Sequence, residues 1–228
     1  MAADNRYLLT ALPALGELGS TPPLGGGELM ARLDDAPAAE LAGVVFLLDD
    51  LMQAMSVGSG QQDDHVQPAV LSSEQVRGQA PLPPYLADEG QPTAQPARLA
   101  TDAMWERYFR HGLQIARRRG SEFLEQWLAS ELALRNALAR ARATALGLDP
   151  NAYVVAADLA GTAGDFPELV AAWSAAPNPL AALKVLDQWR WSWLRDNDHW
   201  FSFADDEVAA YAAKLSLLVR WDRLARAA

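Results

Sequence analysis

Glu131-Leu-Ala-Leu-Arg-Asn-Ala-Leu-Ala-Arg-Ala-Arg142 is a stretch that places an acid, an amide and several guanidinium groups inside an apolar helical pattern. One stripe repeats at spacings of three and four residues: Leu128, Glu131, Arg135, Leu138 and Arg142. Leucines between the charges favour a buried stripe, where an unpaired charge costs several kcal/mol. We therefore predict an interhelical polar clasp made of Glu131, Arg135, Asn136 and Arg142. An exposed Glu131–Arg135 pair, worth about 0.3 kcal/mol, is the alternative.

The composition points to helices. Half of the 228 residues are hydrophobic, and Ala and Leu dominate while Ile115 is the only isoleucine. Since β-branched residues favour strands, we predict an all-α fold, an irregular multi-helix bundle. The absence of cysteine excludes disulfides and thiolate metal sites. The net charge of −10 argues against nucleic-acid binding, and no uninterrupted apolar run approaches the roughly 18 residues of a membrane span.

Helical periodicity and Pro/Gly breaks divide the chain into three parts. We predict an N-terminal helical segment over 1–56, an extended linker or surface loop over 57–100, and a main helical body over 101–228 that forms one domain with 1–56. The linker is rich in Pro, Gln and Ser. Within the other parts, the predicted helices span about 28–33, 38–55, 101–120, 121–146, 167–174, 180–197 and 205–226.

Two surface features are candidates for partner binding. The triplet Arg117-Arg118-Arg119 is either a solvated helix face or a docking patch for an acidic protein. In the tryptophan-rich segment, Trp189 shares a helix face with Leu186, whereas Trp191 lies on another face. We expect one of these faces to enter the core, and an exposed Trp191 to anchor a protein partner.

No motif indicates catalysis, a metal site or a cofactor. Asp196-Asn-Asp-His-Trp200 has candidate ligands but no standard metal spacing, so a capped turn is the preferred interpretation. Asp49-Asp50 is an adjacent pair rather than a facing one. We predict a protein that is not an enzyme and has no cofactor. A small-ligand enzyme using Trp189, Trp191 and His199 is a further alternative.

Two segments are loosely alike. Residues 46–55 and 130–139 both place polar residues between leucines in the middle of a predicted helix. Coincidence stays open as the explanation.

The two ends of the chain resemble a family encoded in bacterial V/A-type ATPase operons. The segments that carry this resemblance are Tyr7-Leu-Leu-Thr-Ala-Leu-Pro-Ala-Leu15, Thr21-Pro-Pro-Leu24, Val185-Leu-Asp-Gln-Trp-Arg-Trp-Ser-Trp-Leu194, Trp200-Phe-Ser-Phe203 and 210–224. The middle is similar to the family of rotary ATPase C subunits (the eukaryotic d subunits), in which a helix carries an acid, an Asn and an Arg six residues after the Asn. Glu131, Asn136 and Arg142 fit that spacing. The acid is Glu rather than Asp, and Thr144 stands where a basic residue is usual.

The resemblance implies a non-catalytic adaptor, similar to the C subunit, that links the central stalk to the membrane rotor ring. Its expected partners are central-stalk subunits and the rotor ring, without nucleic acid and without membrane insertion. Its expected location is cytoplasmic, peripheral to the inner membrane through the ATPase. The alternative function in the same setting is a transient assembly factor.

Overall fold

A computed structural model describes residues 5–34, 36–60, 66–87, 100–159, 166–198 and 200–227. Within these ranges the chain forms α-helices and one 3-10 turn, and no strand, so the predicted all-α class is confirmed. The helices are α1 (Arg6–Ala11), α2 (Gly26–Leu33), α3 (Pro37–Gly58), α4 (Ser73–Val76), α5 (Ala100–Arg119), α6 (Glu122–Ala145), α7 (Pro167–Ser174), α8 (Pro179–Asp196) and α9 (Asp205–Ala227). The 3-10 turn is Pro150–Tyr153.

The helix ends follow local signals in the sequence. Ser121 accepts a hydrogen bond from the Leu124 amide and caps α6. Gly147 follows α6 with a φ of 68°, the left-handed conformation that glycine tolerates best. Pro167 starts α7 and Pro179 starts α8. Thr101, a residue type that often caps helices, lies inside α5, which begins at Ala100.

The chain divides into two compact units. Unit 1 comprises Met1–Leu82 and Trp191–Ala228, and unit 2 comprises Pro83–Arg190. Since a compact unit need not fold independently, the predicted domain boundaries stay a prediction.

Unit 1 is built around α3. This helix packs against α9, α2 and α4, and α2 also contacts α9. By length and composition alone α3 is apolar enough to cross a membrane, but most of that stretch is buried and it carries Asp49 and Asp50. Core helices also meet these criteria of length and composition, and α3 is a core helix in this structure.

Unit 2 is built around α6. It packs against α5, the 3-10 turn and α7. Leu134 and Leu138 of α6 form an apolar cluster with Leu186 of α8. Partly buried side chains complete this cluster: Phe166, Leu169, Val170, Trp173 and Trp189.

Part of the predicted linker is folded. Its described residues 66–87 include α4, which begins with a capping box between Ser72 and Gln75. Leu71, Val76 and Leu86 are buried. The prediction of an extended conformation over the rest of 57–100 falls partly outside the described residues.

Candidate functional site

A buried ionic group in unit 2 centres on Glu131. This side chain is only 4 % exposed. Its carboxylate accepts two hydrogen bonds from Arg190 of α8, at 2.7 Å from Nε and 2.8 Å from Nη2. The third nitrogen of Arg190 donates to Asp187 at 2.9 Å. We call Glu131, Asp187, Arg190 and Asn136 the α6 cluster.

Bidentate pairing allows these charges to be buried. Such bonds between guanidinium and carboxylate are stronger than neutral ones and fix both side chains in one plane. Burial alone would lower the pKa of Arg190, but Glu131 and Asp187 together raise it above its ordinary value. Tyr108 of α5 has a raised pKa because it is buried and because Glu131 is negative. Arg190 is therefore always charged, and Tyr108 stays neutral at physiological pH.

Asn136 joins α6 to the segment after the 3-10 turn. Its amide nitrogen donates to the Val155 carbonyl, and its amide oxygen accepts from the Val155 amide, both at 2.9 Å. All of these groups are buried. The side chain thus satisfies both backbone polar atoms of one buried residue that lies outside the helices.

The predicted polar clasp is corrected in its partners. Glu131 pairs with Arg190, which lies 59 positions away, rather than with Arg135. Arg135 instead approaches the Asp102 carboxylate at 3.5 Å and lies 4.6 Å from the Trp105 ring centroid. Burial lowers the pKa of Arg135 to about 10, against the opposing effect of Asp102.

Arg142 does not belong to the buried group. Its side chain is exposed, and its guanidinium lies 4.9 Å from the centroid of the Trp173 ring in α7. Arg142 belongs to the same helical stripe as Glu131. By the last turn of α6, however, this stripe no longer faces the interior.

Unit 1 contains a second buried ionic group, which sequence reasoning missed. Asp49 of α3 accepts bonds from Arg220 at 3.2 Å and from Arg223 at 3.0 and 3.3 Å, both in α9. Burial would raise the pKa of Asp49, but the two arginines hold it below its ordinary value. This carboxylate therefore stays ionised and ties α3 to α9.

The neighbouring Asp50 binds backbone instead. Its carboxylate accepts from the amides of Ala69, Val70 and Leu71, at 2.8 to 2.9 Å. Burial, with a smaller contribution from the charge of Asp49, raises the pKa of Asp50 to about 6 despite these three donors. Asp50 therefore fixes the 69–71 segment against α3.

Gln53 extends this contact by one helical turn. Its amide oxygen accepts from the Gln67 amide at 3.0 Å, and its nitrogen donates to Asp49 at 2.9 Å. We call Asp49, Asp50, Gln53, Arg220 and Arg223 the α3 cluster. The only sequence signal for it was the pattern of polar residues between leucines shared by 46–55 and 130–139.

The tryptophans of α8 differ from expectation. Trp191 is 8 % exposed, so the predicted exposed anchor is corrected to a buried side chain. It lies three positions before the fully buried Leu194, on the same side of α8. Trp189 is partly buried and contacts Phe166 edge to face. His199, part of the enzyme alternative, lies outside the described residues.

Arg117, Arg118 and Arg119 are exposed at the end of α5. Arg117 lies 3.3 Å from Glu125, a surface pair that contributes little. Cations at a helix C-terminus are favourable in themselves. The docking role of this triplet stays a prediction.

The two clusters join helices to one another and to non-helical backbone. The hydrogen bonds described above join their carboxylates to guanidinium groups of the same cluster, to Gln53 or to backbone amides. Among the described residues, no group of three or more His, Asp or Glu side chains is placed to hold a metal ion.

Comparison with known proteins adds no assignment. No family model, curated protein or solved structure matches this chain.

Proposed function

We propose that this chain is a non-catalytic adaptor of a bacterial V/A-type ATPase, similar to the C subunit, that links the central stalk to the membrane rotor ring. The sequence resemblance at both ends of the chain, and the spacing of Glu131, Asn136 and Arg142, support the proposal. An all-helical fold is compatible with it. In this role the protein is cytoplasmic and peripheral to the inner membrane.

One observation carries the proposal. In each unit, a buried ionic group joins the central helix to a helix that is distant in sequence. Glu131 binds Arg190 in unit 2, and Asp49 binds Arg220 in unit 1. Separating such helices would break a bidentate or shared ion pair and open an apolar interface to water, and loss of one partner from a buried pair costs about 3–5 kcal/mol. An adaptor that transmits torque requires helices that resist such separation.

Purification of the tagged chain from the native host tests this function. We expect recovery with the intact ATPase, in a fixed ratio to the central-stalk subunits that persists through size-exclusion chromatography. Recovery only with unassembled subunits would instead identify an assembly factor. Recovery with neither would refute both functions.

A further inference from the structure

An exposed aromatic loop lies between α8 and α9 in unit 1. It is the segment Trp200-Phe-Ser-Phe203, which we call the aromatic tip. Trp200 is 66 % exposed and Phe201 is 70 % exposed, and their rings meet edge to face with centroids 5.4 Å apart. Adjacent large aromatic side chains at such exposure are unfavourable in water, and patches of this kind mark interaction sites.

The backbone of the aromatic tip is fixed by hydrogen bonds to Glu207 and Asn5. One carboxylate, that of Glu207 in α9, accepts from the Phe201 amide at 3.1 Å, the Phe203 amide at 2.7 Å and the Ser202 hydroxyl at 3.3 Å. On the other side, the Phe203 carbonyl accepts from the Asn5 amide at 3.1 Å. The loop is therefore held in one conformation before any partner binds, which lowers the entropy cost of binding.

This conformation is strained. Phe201 and Phe203 have φ values of 63° and 54°, in the left-handed region that bulky residues avoid. Residues kept there despite the strain are found where the surrounding structure imposes it, commonly at functional sites. At Phe201 the result is an aromatic ring directed to solvent.

The surroundings of the aromatic tip are acidic. Residues 195–207 contain one cation, Arg195, and five acids: Asp196, Asp198, Asp205, Asp206 and Glu207. Two cations approach from neighbouring elements, with Lys214 paired to Asp198 at 2.7 Å and Arg6 lying 5.4 Å from the Phe203 ring centroid. The excess of negative charge disfavours anionic lipid and favours a basic protein surface.

We propose that the aromatic tip is a docking site for a partner protein that offers an apolar pocket bordered by Lys or Arg. Trp200 and Phe201 enter the pocket, and the exposed Asp196 pairs with its rim. Buried tryptophan commonly dominates the energy of such contacts. The inference rests on the proposed function, in which the pocket belongs to the central stalk or the rotor ring.

Binding of the full chain to purified central stalk and purified rotor ring tests the inference. Affinities are measured by biolayer interferometry for the wild type, for the double variant Trp200→Ser/Phe201→Ser and for the control Leu180→Ser. Leu180 is 51 % exposed and lies in unit 2, so it matches the loss of exposed apolar surface elsewhere. We expect the double variant to weaken binding by at least about 30-fold, and the control to bind like the wild type.

If the double variant has an altered thermal melt, its loss of binding does not distinguish a docking defect from a folding defect. A charge variant then provides the second test. Asp196 is exposed at the end of α8, and Asp196→Lys should reduce both the affinity and its dependence on salt. Unchanged binding by the double variant and by Asp196→Lys would overturn the docking site and leave the proposed function intact. Wild-type binding to neither component would overturn the proposed function, and the docking site with it.

Lipid vesicles separate a protein pocket from a membrane surface. We expect no binding of the wild type to zwitterionic vesicles or to vesicles containing anionic lipid. Binding to vesicles that requires Trp200 would overturn the assignment to a protein partner.

Discussion

The two buried ionic groups have opposite compositions. In the α6 cluster two carboxylates, Glu131 and Asp187, share Arg190, whereas in the α3 cluster two arginines, Arg220 and Arg223, share Asp49. The α6 contacts are shorter, and Arg190 engages all its nitrogens. Arg223, in contrast, is only partly buried. In each cluster, replacing the shared ion should therefore lower the free energy of unfolding more than replacing any other member. The loss should be larger for the shared ion of unit 2.

Both clusters also fix a non-helical segment through its backbone. Asn136 does so with a neutral amide at Val155, and Asp50 does so with a carboxylate at residues 69–71. The contact of the neutral Asn136 side chain does not depend on pH. The contact of the Asp50 carboxylate does, because this group can be protonated. The two units should thus respond differently to acid.

Replacing Arg190 should have the largest effect. Arg190→Met leaves Glu131 and Asp187 buried without their shared cation, so we expect a loss of about 3–5 kcal/mol in the free energy of unfolding. Urea denaturation followed by circular dichroism measures it. Arg195→Met, at an exposed position of the same helix, is the control and should change stability by less than about 0.5 kcal/mol. A loss of similar size in both variants would contradict the buried pair.

Replacing Asp49 should come next. In Asp49→Asn the partly buried Arg223 can turn toward water, so we expect a loss of about 2–4 kcal/mol, smaller than for Arg190→Met. The same denaturation experiment applies. Arg223→Gln should cost less than Asp49→Asn, because Arg220 continues to neutralise Asp49. The reverse order would show that Asp49 is not the shared ion.

Asp50 should make unit 1 sensitive to pH. Its folded pKa of about 6 lies above the ordinary value of 3.8, so its favourable contribution is complete below pH 3.8 and is lost as pH rises through 6. The shift corresponds to at most about 3 kcal/mol. We expect the stability difference, wild type minus Asp50→Asn, to fall between pH 4 and 6. A difference that stays constant with pH would contradict the raised pKa.

Removing the amide of Asn136 should release the Val155 segment. Asn136→Ala leaves a buried N–H and a buried carbonyl without their partner, which costs about 2 kcal/mol. Hydrogen exchange should show faster exchange of the Val155 amide, and this change should not depend on pH after correction for intrinsic rates. An unchanged Val155 amide would mean that the contact does not persist in solution.

Arg142→Ala should have the smallest effect. Its exposed contact with Trp173 is worth about 0.5–1 kcal/mol. The sequence prediction places Arg142 in a buried group, and Arg142→Ala would then markedly lower the melting temperature. A thermal melt therefore distinguishes that prediction from the exposed position in the structure. A loss as large as that for Arg190→Met would restore Arg142 to the buried group.

Helix positions were predictable from the sequence because their signals are local. The predicted ranges 167–174 and 205–226 agree with α7 and α9 to within one residue, since Pro167 and the acids at 205–207 mark the helix starts. Burial of Glu131 and Asn136 was also predictable from the leucines around them. These inferences need only the periodicity of one helix.

The partners of the buried charges were not predictable in the same way. Helical spacing reports neighbours on the same helix, so it pairs Glu131 with Arg135, whereas the true partner Arg190 belongs to α8. The adjacency of Asp49 and Asp50 hid their separate roles, because consecutive helical residues point about 100° apart and meet different elements. Contacts between distant positions leave their signal in covariation among homologues, which a single sequence does not contain.

The discontinuity of unit 1 sets an order for its assembly during synthesis. Arg220 follows Asp49 by 171 positions, so α3 emerges from the ribosome long before the helix that neutralises it. At typical elongation rates this interval is on the order of 10–30 s. Unit 2, which is continuous from Pro83 to Arg190, is synthesised in full within that time. During that interval the apolar segment of α3 lacks the α9 surface that covers it in the folded chain, a state that a holding chaperone is suited to shield.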